Sequence, residues 1–70
     1  MLRSILKYVK HSKSIIANNV KCLEGSQIMA GSVLQSGCVI GKNSIINTSV
    51  SIDHDCQIGD NVHISPGTTI

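Results

Sequence analysis

From Ile28 onward an aliphatic residue stands at every sixth position without a miss: Ile28, Leu34, Ile40, Ile46, Ile52, Ile58, Ile64 and Ile70. An amphipathic helix repeats its apolar residues at three and four, and a half-buried strand at two; a strict six describes short strands joined by repeated corners. Two further columns keep the same phase. Compact residues precede each aliphatic by two places (Ser26, Ser32, Cys38, Ser44, Val50, Cys56, Val62, Thr68) and are suited to share an interior with it. Turn formers follow by three places (Gly31, Gly37, Asn43, Ser49, Asp55, Asn61, Gly67), where a bending backbone favours residues that tolerate positive φ. The pattern predicts an all-β chain, a left-handed parallel β-helix over residues 11–70.

Three hexads make one triangular coil of about eighteen residues, so the visible repeat supplies two to three coils. So small a solenoid buries proportionally little surface and leaves strand edges open at its ends, which predicts oligomerisation or further sequence. The pattern stops on the column residue Ile70 without a cap, and solenoids normally end in an atypical, edge-covering segment. The chain therefore reads as truncated at its C-terminus.

Charge divides the chain unevenly. Arg3, Lys7, Lys10, Lys13 and Lys21 all precede the first acid, Glu24, whereas the repeat region carries only Lys42. A basic stretch of this kind can serve nucleic-acid binding, but Tyr8 is the only aromatic residue, so stacking platforms for bases are missing and nucleic acid is not the expected partner. Leu2, Ile5, Leu6 and Val9 lie at helical spacing with basic and polar residues between them, predicting a short amphipathic N-terminal helix within residues 1–10, the remnant of another domain. A targeting helix would share this character. No apolar run reaches membrane-spanning length, and no membrane partner is expected.

The three cysteines, Cys22, Cys38 and Cys56, form no C-x-x-C pair, so neither a disulfide framework nor a zinc site is indicated. Cys38 and Cys56 differ by one coil and are expected to stack inside as small hydrophobes, suiting a reducing, cytoplasmic setting.

Residues that depart from the columns are where chemistry is to be sought. His54 takes the corner position that other hexads give to Ala30, Ser36, Lys42, Thr48, Asp60 and Pro66. His63 precedes a column aliphatic, and alternation along a strand sends it outward. Imidazole suits proton acceptance near neutral pH, and an adjacent carboxylate can hold its tautomer. Asp55 is the candidate partner and Asp53 the fallback; in a regular strand neighbours diverge, so His54 and Asp55 cooperate only if the corner bends them together. The competing reading is a solvated polar turn. His54 and His63 are half a coil apart and belong to separate parts of one cross-section, but residues of neighbouring subunits in a threefold trimer can line a shared groove.

The runs Ile45-Ile46-Asn47-Thr48, Ile52-Asp53-His54-Asp55-Cys56 and Ile58-Gly59-Asp60-Asn61-Val62-His63-Ile64-Ser65-Pro66-Gly67 resemble the sialic-acid O-acetyltransferase and bacterial sugar N-acetyltransferase family. The resemblance runs from about His11 to Ile70 and includes Met29-Ala30-Gly31 and Ile40-Gly41-Lys42-Asn43. It implies a homotrimer of left-handed β-helices with acetyl-coenzyme A in grooves between them and a sugar or nucleotide-sugar acceptor. It also implies an N-terminal nucleotide-sugar domain and later coils that this sequence lacks. Carried over residue by residue, it makes His54 the general base on the acceptor hydroxyl or amine and Asp55 its orienting acid. His63, with Ser65 and Gly67 of the same run, falls on the coenzyme side. Acyl transfer needs an activated nucleophile and oxyanion donors rather than a metal.

Two other classes compete. Gamma-type carbonic anhydrases are β-helix trimers that bind zinc through three histidines, and this chain has His11, His54 and His63; His11, however, lies several hexads from His54 along the axis, where converging ligands are hard to assemble. A non-catalytic solenoid fragment that only self-associates is the third reading.

Overall fold

The computed structural model describes residues 8–70. Ten strands of two or three residues succeed one another: β1 (Tyr8–Lys10), β2 (Ile15–Ile16), β3 (Lys21–Cys22), β4 (Ser26–Ile28), β5 (Val33–Leu34), β6 (Val39–Ile40), β7 (Ile45–Ile46), β8 (Ser51–Ile52), β9 (Gln57–Ile58) and β10 (His63–Ile64). They form three parallel sheets, ordered β1-β4-β7-β10, β2-β5-β8 and β3-β6-β9. Each strand thus pairs with the strand three further on, the signature of a chain wound about three times round a three-sided prism. The winding is in strict register: Val9 faces Gln27, Gln27 faces Ile45, and Ile45 faces His63, eighteen positions at each step.

The aliphatic column is the core. Ile28, Leu34, Ile40, Ile46 and Ile52 are fully buried, Ile64 nearly so, and Cys38 and Val50 share the interior. Ile58, on the last strand of its sheet, is only half-buried and packs against that core, and Ile70 is exposed. The column also extends upstream of Ile28: Cys22, Ile16 and Lys10 stand opposite Ile40, Leu34 and Ile28. A thiol and a lysine in that column conceal the period before Ile28.

The compact column does more than save space. Ser32 Oγ donates to the Asn47 carbonyl at 3.1 Å, Cys38 Sγ to the Asp53 carbonyl at 2.9 Å and Ser44 Oγ to the Gly59 carbonyl at 2.6 Å. Each supplies a partner to a corner carbonyl of the next coil, as buried backbone polar groups require. Cys38 is therefore a hydrogen-bond donor as well as a small hydrophobe. All three cysteines are free thiols; burial pushes the Cys22 thiol up, and the Lys10 charge opposes this.

The corner column behaves as its residue types demand. Gly31, Gly37, Asn43, Ser49, Asp55, Asn61 and Gly67 all have positive φ, as do Asn19 and Gly25 upstream. That conformation at the third residue of a four-residue turn is the type II requirement, which Gly and Asn meet with least strain.

The N-terminal helix is not found where the structure speaks to it. Tyr8–Lys10 is extended and paired with Ser26–Ile28, so the C-terminal end of the expected helix is strand β1; the rest of that segment, residues 1–7, lies outside the described residues. The reason is energetic: a short helix must overcome a costly nucleus, whereas the edge of β4 offers ready-made backbone partners.

Candidate functional site

His54 and Asp55 lie at the corner between β8 and β9, and the bend brings them together. Asp55 has φ +58°, the left-handed conformation, so its side chain does not diverge from that of His54 as it would in a strand. His54 Nδ1 stands 3.0 Å from Asp55 Oδ2. An ionised carboxylate only accepts, so the ring nitrogen Nδ1–H donates. That tautomer leaves Nε2 with a free lone pair, and Nε2 has no hydrogen-bond partner among the described residues.

Asp53 holds the corner from the other side. Its Oδ1 accepts the backbone N–H of the next residue, His54, at 2.8 Å and lies 3.9 Å from Nε2, too far for a hydrogen bond. Backbone bonds to adjacent coils pin the corner: the Asp55 N–H donates to the Ser36 carbonyl at 3.0 Å, and the Asp53 N–H to the Ile70 carbonyl at 3.0 Å. The Cys38 thiol bond to the Asp53 carbonyl adds a hold from inside. The fallback acid thus orients backbone, while the primary candidate orients the ring.

The ionisable groups are open to solvent, the His54 side chain being 68% exposed. The hydrogen bond to Asp55 raises the His54 pKa above its ordinary value of 6.5, and the charges of Asp53 and Asp55 raise it further against a small opposing desolvation. A base raised in this way is stronger but is fully available only at a higher pH.

His63 stands first in β10, exposed, with Ile64 buried beside it, as alternation requires. It belongs to a different sheet from the strand that leads into His54. Ser65 and Gly67 form the next corner: the Ser65 carbonyl accepts Thr68 Oγ1–H at 2.7 Å, Gly67 has φ +77°, and the Gly67 N–H donates to the Thr48 carbonyl at 2.9 Å. No hydrogen bond joins His63, Ser65 or Gly67 to the His54 corner among the described residues. His11 is used locally, its Nδ1 accepting the Lys13 backbone N–H at 3.0 Å. Among the described residues no three His, Cys, Asp or Glu side chains converge to hold a metal ion, no cavity forms, and no helix is long and apolar enough to cross a membrane.

No family model matches the chain, and no solved structure matches it significantly. Among curated proteins, the bifunctional protein GlmU of Syntrophotalea carbinolica is 30% identical over 70 residues, all of this chain and 15% of that relative. The chain thus spans a small part of the relative's length, and what the comparison supports is a parallel β-solenoid similar throughout to a segment of GlmU.

Proposed function

We propose that the chain is the repeat portion of an acetyl-coenzyme A-dependent acetyltransferase acting on a sugar hydroxyl or amine, with His54 as general base. The observation that carries this reading is the oriented His54–Asp55 pair on an otherwise regular solenoid corner, with Nδ1 committed to Asp55 and Nε2 without a hydrogen-bond partner among the described residues. The similarity to GlmU and the motif resemblance to sugar acetyltransferases support the same class.

In the proposed step the acceptor oxygen or nitrogen attacks the thioester carbonyl as its proton passes to His54 Nε2. The tetrahedral oxyanion takes a hydrogen bond from His63 or the Ser65 backbone N–H. Collapse expels the coenzyme thiolate, which takes the proton from His54, giving the acetylated sugar and free coenzyme A. Asp55 holds the ring tautomer and stabilises the imidazolium formed midway.

His54 and His63 sit on different sides of the prism, so one chain does not enclose a donor and an acceptor between them. We therefore propose a homotrimer of left-handed β-helices in which the corner of one chain and the outer face of another line a groove. Val9 on one sheet and Ile15 on another, 57% and 64% exposed, are apolar side chains that such packing would cover. Free cysteines, one buried and two half-buried, suit a reducing, cytoplasmic location.

The same exposed apolar side chains favour a second reading, a solenoid that assembles without catalysis. Calorimetry with acetyl-coenzyme A, with sedimentation on the same sample, tests the pair. Saturable binding by a trimer, followed by loss of thioester in the presence of sugar acceptors, is expected for the enzyme. Assembly without binding leaves the non-catalytic reading standing and refutes the first.

A further inference from the structure

The eighteen-residue winding sets Gly37 one coil before Asp55, in the same corner stack. The two are in close contact. The Asp55 N–H is bonded to the carbonyl of Ser36, the residue beside Gly37, and a Cβ added at Gly37 would overlap Asp55 Oδ1 and stand 3.0 Å from its Cγ. The Asp55 carboxylate therefore occupies the space that a side chain at position 37 would take. Its other oxygen, Oδ2, receives the His54 ring.

We infer that Gly37 is a positioning residue for the His54–Asp55 pair: by carrying no side chain, it lets the Asp55 carboxylate settle against the preceding coil in the orientation that accepts His54 Nδ1–H. Room for a carboxylate is distinct from the conformational reason for glycine there, φ +82°. Asparagine meets the conformational need at Asn19, one coil earlier in the same stack, and Asn43 precedes Asn61 by one coil with both at positive φ. A glycine is thus not needed at this corner position merely to wind the chain. What an asparagine at 37 would remove is the seat of the Asp55 carboxylate.

This inference rests on the proposed role of His54 for its catalytic meaning, but its geometry does not. The test is a ring-proton NMR titration of His54, one of only three histidines, in the full chain. Gly37→Asn and Gly37→Ala are compared with wild type, with Asp55→Asn as the reference for a lost carboxylate. Gly31→Ala is the control for strain alone: Gly31 has φ +74°, and its added Cβ would meet Ser49 Oγ at 3.1 Å, away from the His54 corner. Expected are titrations of both Gly37 variants displaced downward to near that of Asp55→Asn, with Gly31→Ala unchanged. A folded Gly37 variant that titrates like wild type overturns the inference, as does an equal displacement in Gly31→Ala. Failure of both Gly37 variants to fold overturns it too, by making the residue structural. Absence of acetyl transfer in the wild-type chain would refute the proposed function while leaving the titration result intact.

Discussion

Replacing Ile46 by Ala removes three carbons from the centre of the prism. Ile46 is fully buried in β7, the inner strand between Ile28 on one side and Ile64 on the other. At ~0.8 kcal/mol per buried carbon the lost transfer free energy is ~2.4 kcal/mol. A stacked coil cannot collapse far into the gap without breaking register with both neighbours, so a cavity penalty adds to this, for a total of about 3–4 kcal/mol within the usual range of about 2–5 for such truncations. A chain of this length has a total stability on the order of 4–10 kcal/mol, so the variant loses a large fraction of it. The matched control is Ile15→Ala, which removes the same atoms from a side chain 64% exposed. Urea denaturation followed by far-ultraviolet circular dichroism is the appropriate assay, since Tyr8 is the sole aromatic reporter. Two protein concentrations separate packing within the chain from assembly between chains. A midpoint shift for Ile46→Ala no larger than that for Ile15→Ala, at the lower concentration, refutes the assignment of the sixth-residue column to the interior.

Asp55→Asn is expected to lower the His54 pKa, because it removes the largest cause of the upward shift; the rising limb of any pH–activity profile moves to lower pH with it, and NMR titration reads the same displacement. Protonated His54 favours the folded corner, so its contribution to stability is complete below its ordinary value of 6.5 and is lost as pH rises through the raised folded value, a dependence that His54→Gln removes in pH-dependent denaturation. Ser44→Ala is expected to cost about 1–3 kcal/mol, because it strips the Gly59 carbonyl of a donor at 2.6 Å and the Val62 N–H of an acceptor at 3.0 Å, whereas Ser26→Ala, whose Oγ is buried without a partner among the described residues, is neutral or stabilising; equal losses in paired denaturation curves would contradict this. Gly41→Ala drives a Cβ into the Gly59 backbone of the next coil, which no rotamer change relieves, and is expected to cost at least ~1–3 kcal/mol by the same measurement.

Part of the geometry of the candidate corner was legible from the chain. The His54–Asp55 pairing depended on a bend that spacing alone did not guarantee, and the positive φ of Asp55 supplies it. Asp53 was credible as a ring partner by adjacency, yet its carboxylate is engaged by the His54 backbone. Gly37 was visible as a turn former, but its contact with Asp55 requires counting a full coil between them, not a hexad. At the N-terminus the helical spacing of Leu2, Ile5, Leu6 and Val9 misled for Val9, because pairing of β1 with β4 outweighs local periodicity.

Strand positions and the interior column follow from the sequence itself, since a six-residue period in aliphatics, with glycine and asparagine in phase, leaves the backbone few other ways to bury its apolar groups. What only the tertiary structure decides is which residues meet across eighteen positions: the thiol and hydroxyl donors that satisfy the next coil's carbonyls, the corner that turns His54 toward Asp55, and the empty place at Gly37 that the carboxylate fills. Periodicity fixes where a side chain lies along the repeat, but a contact depends on the stacking of coils and the conformation of each corner, and neither is a property of a single hexad.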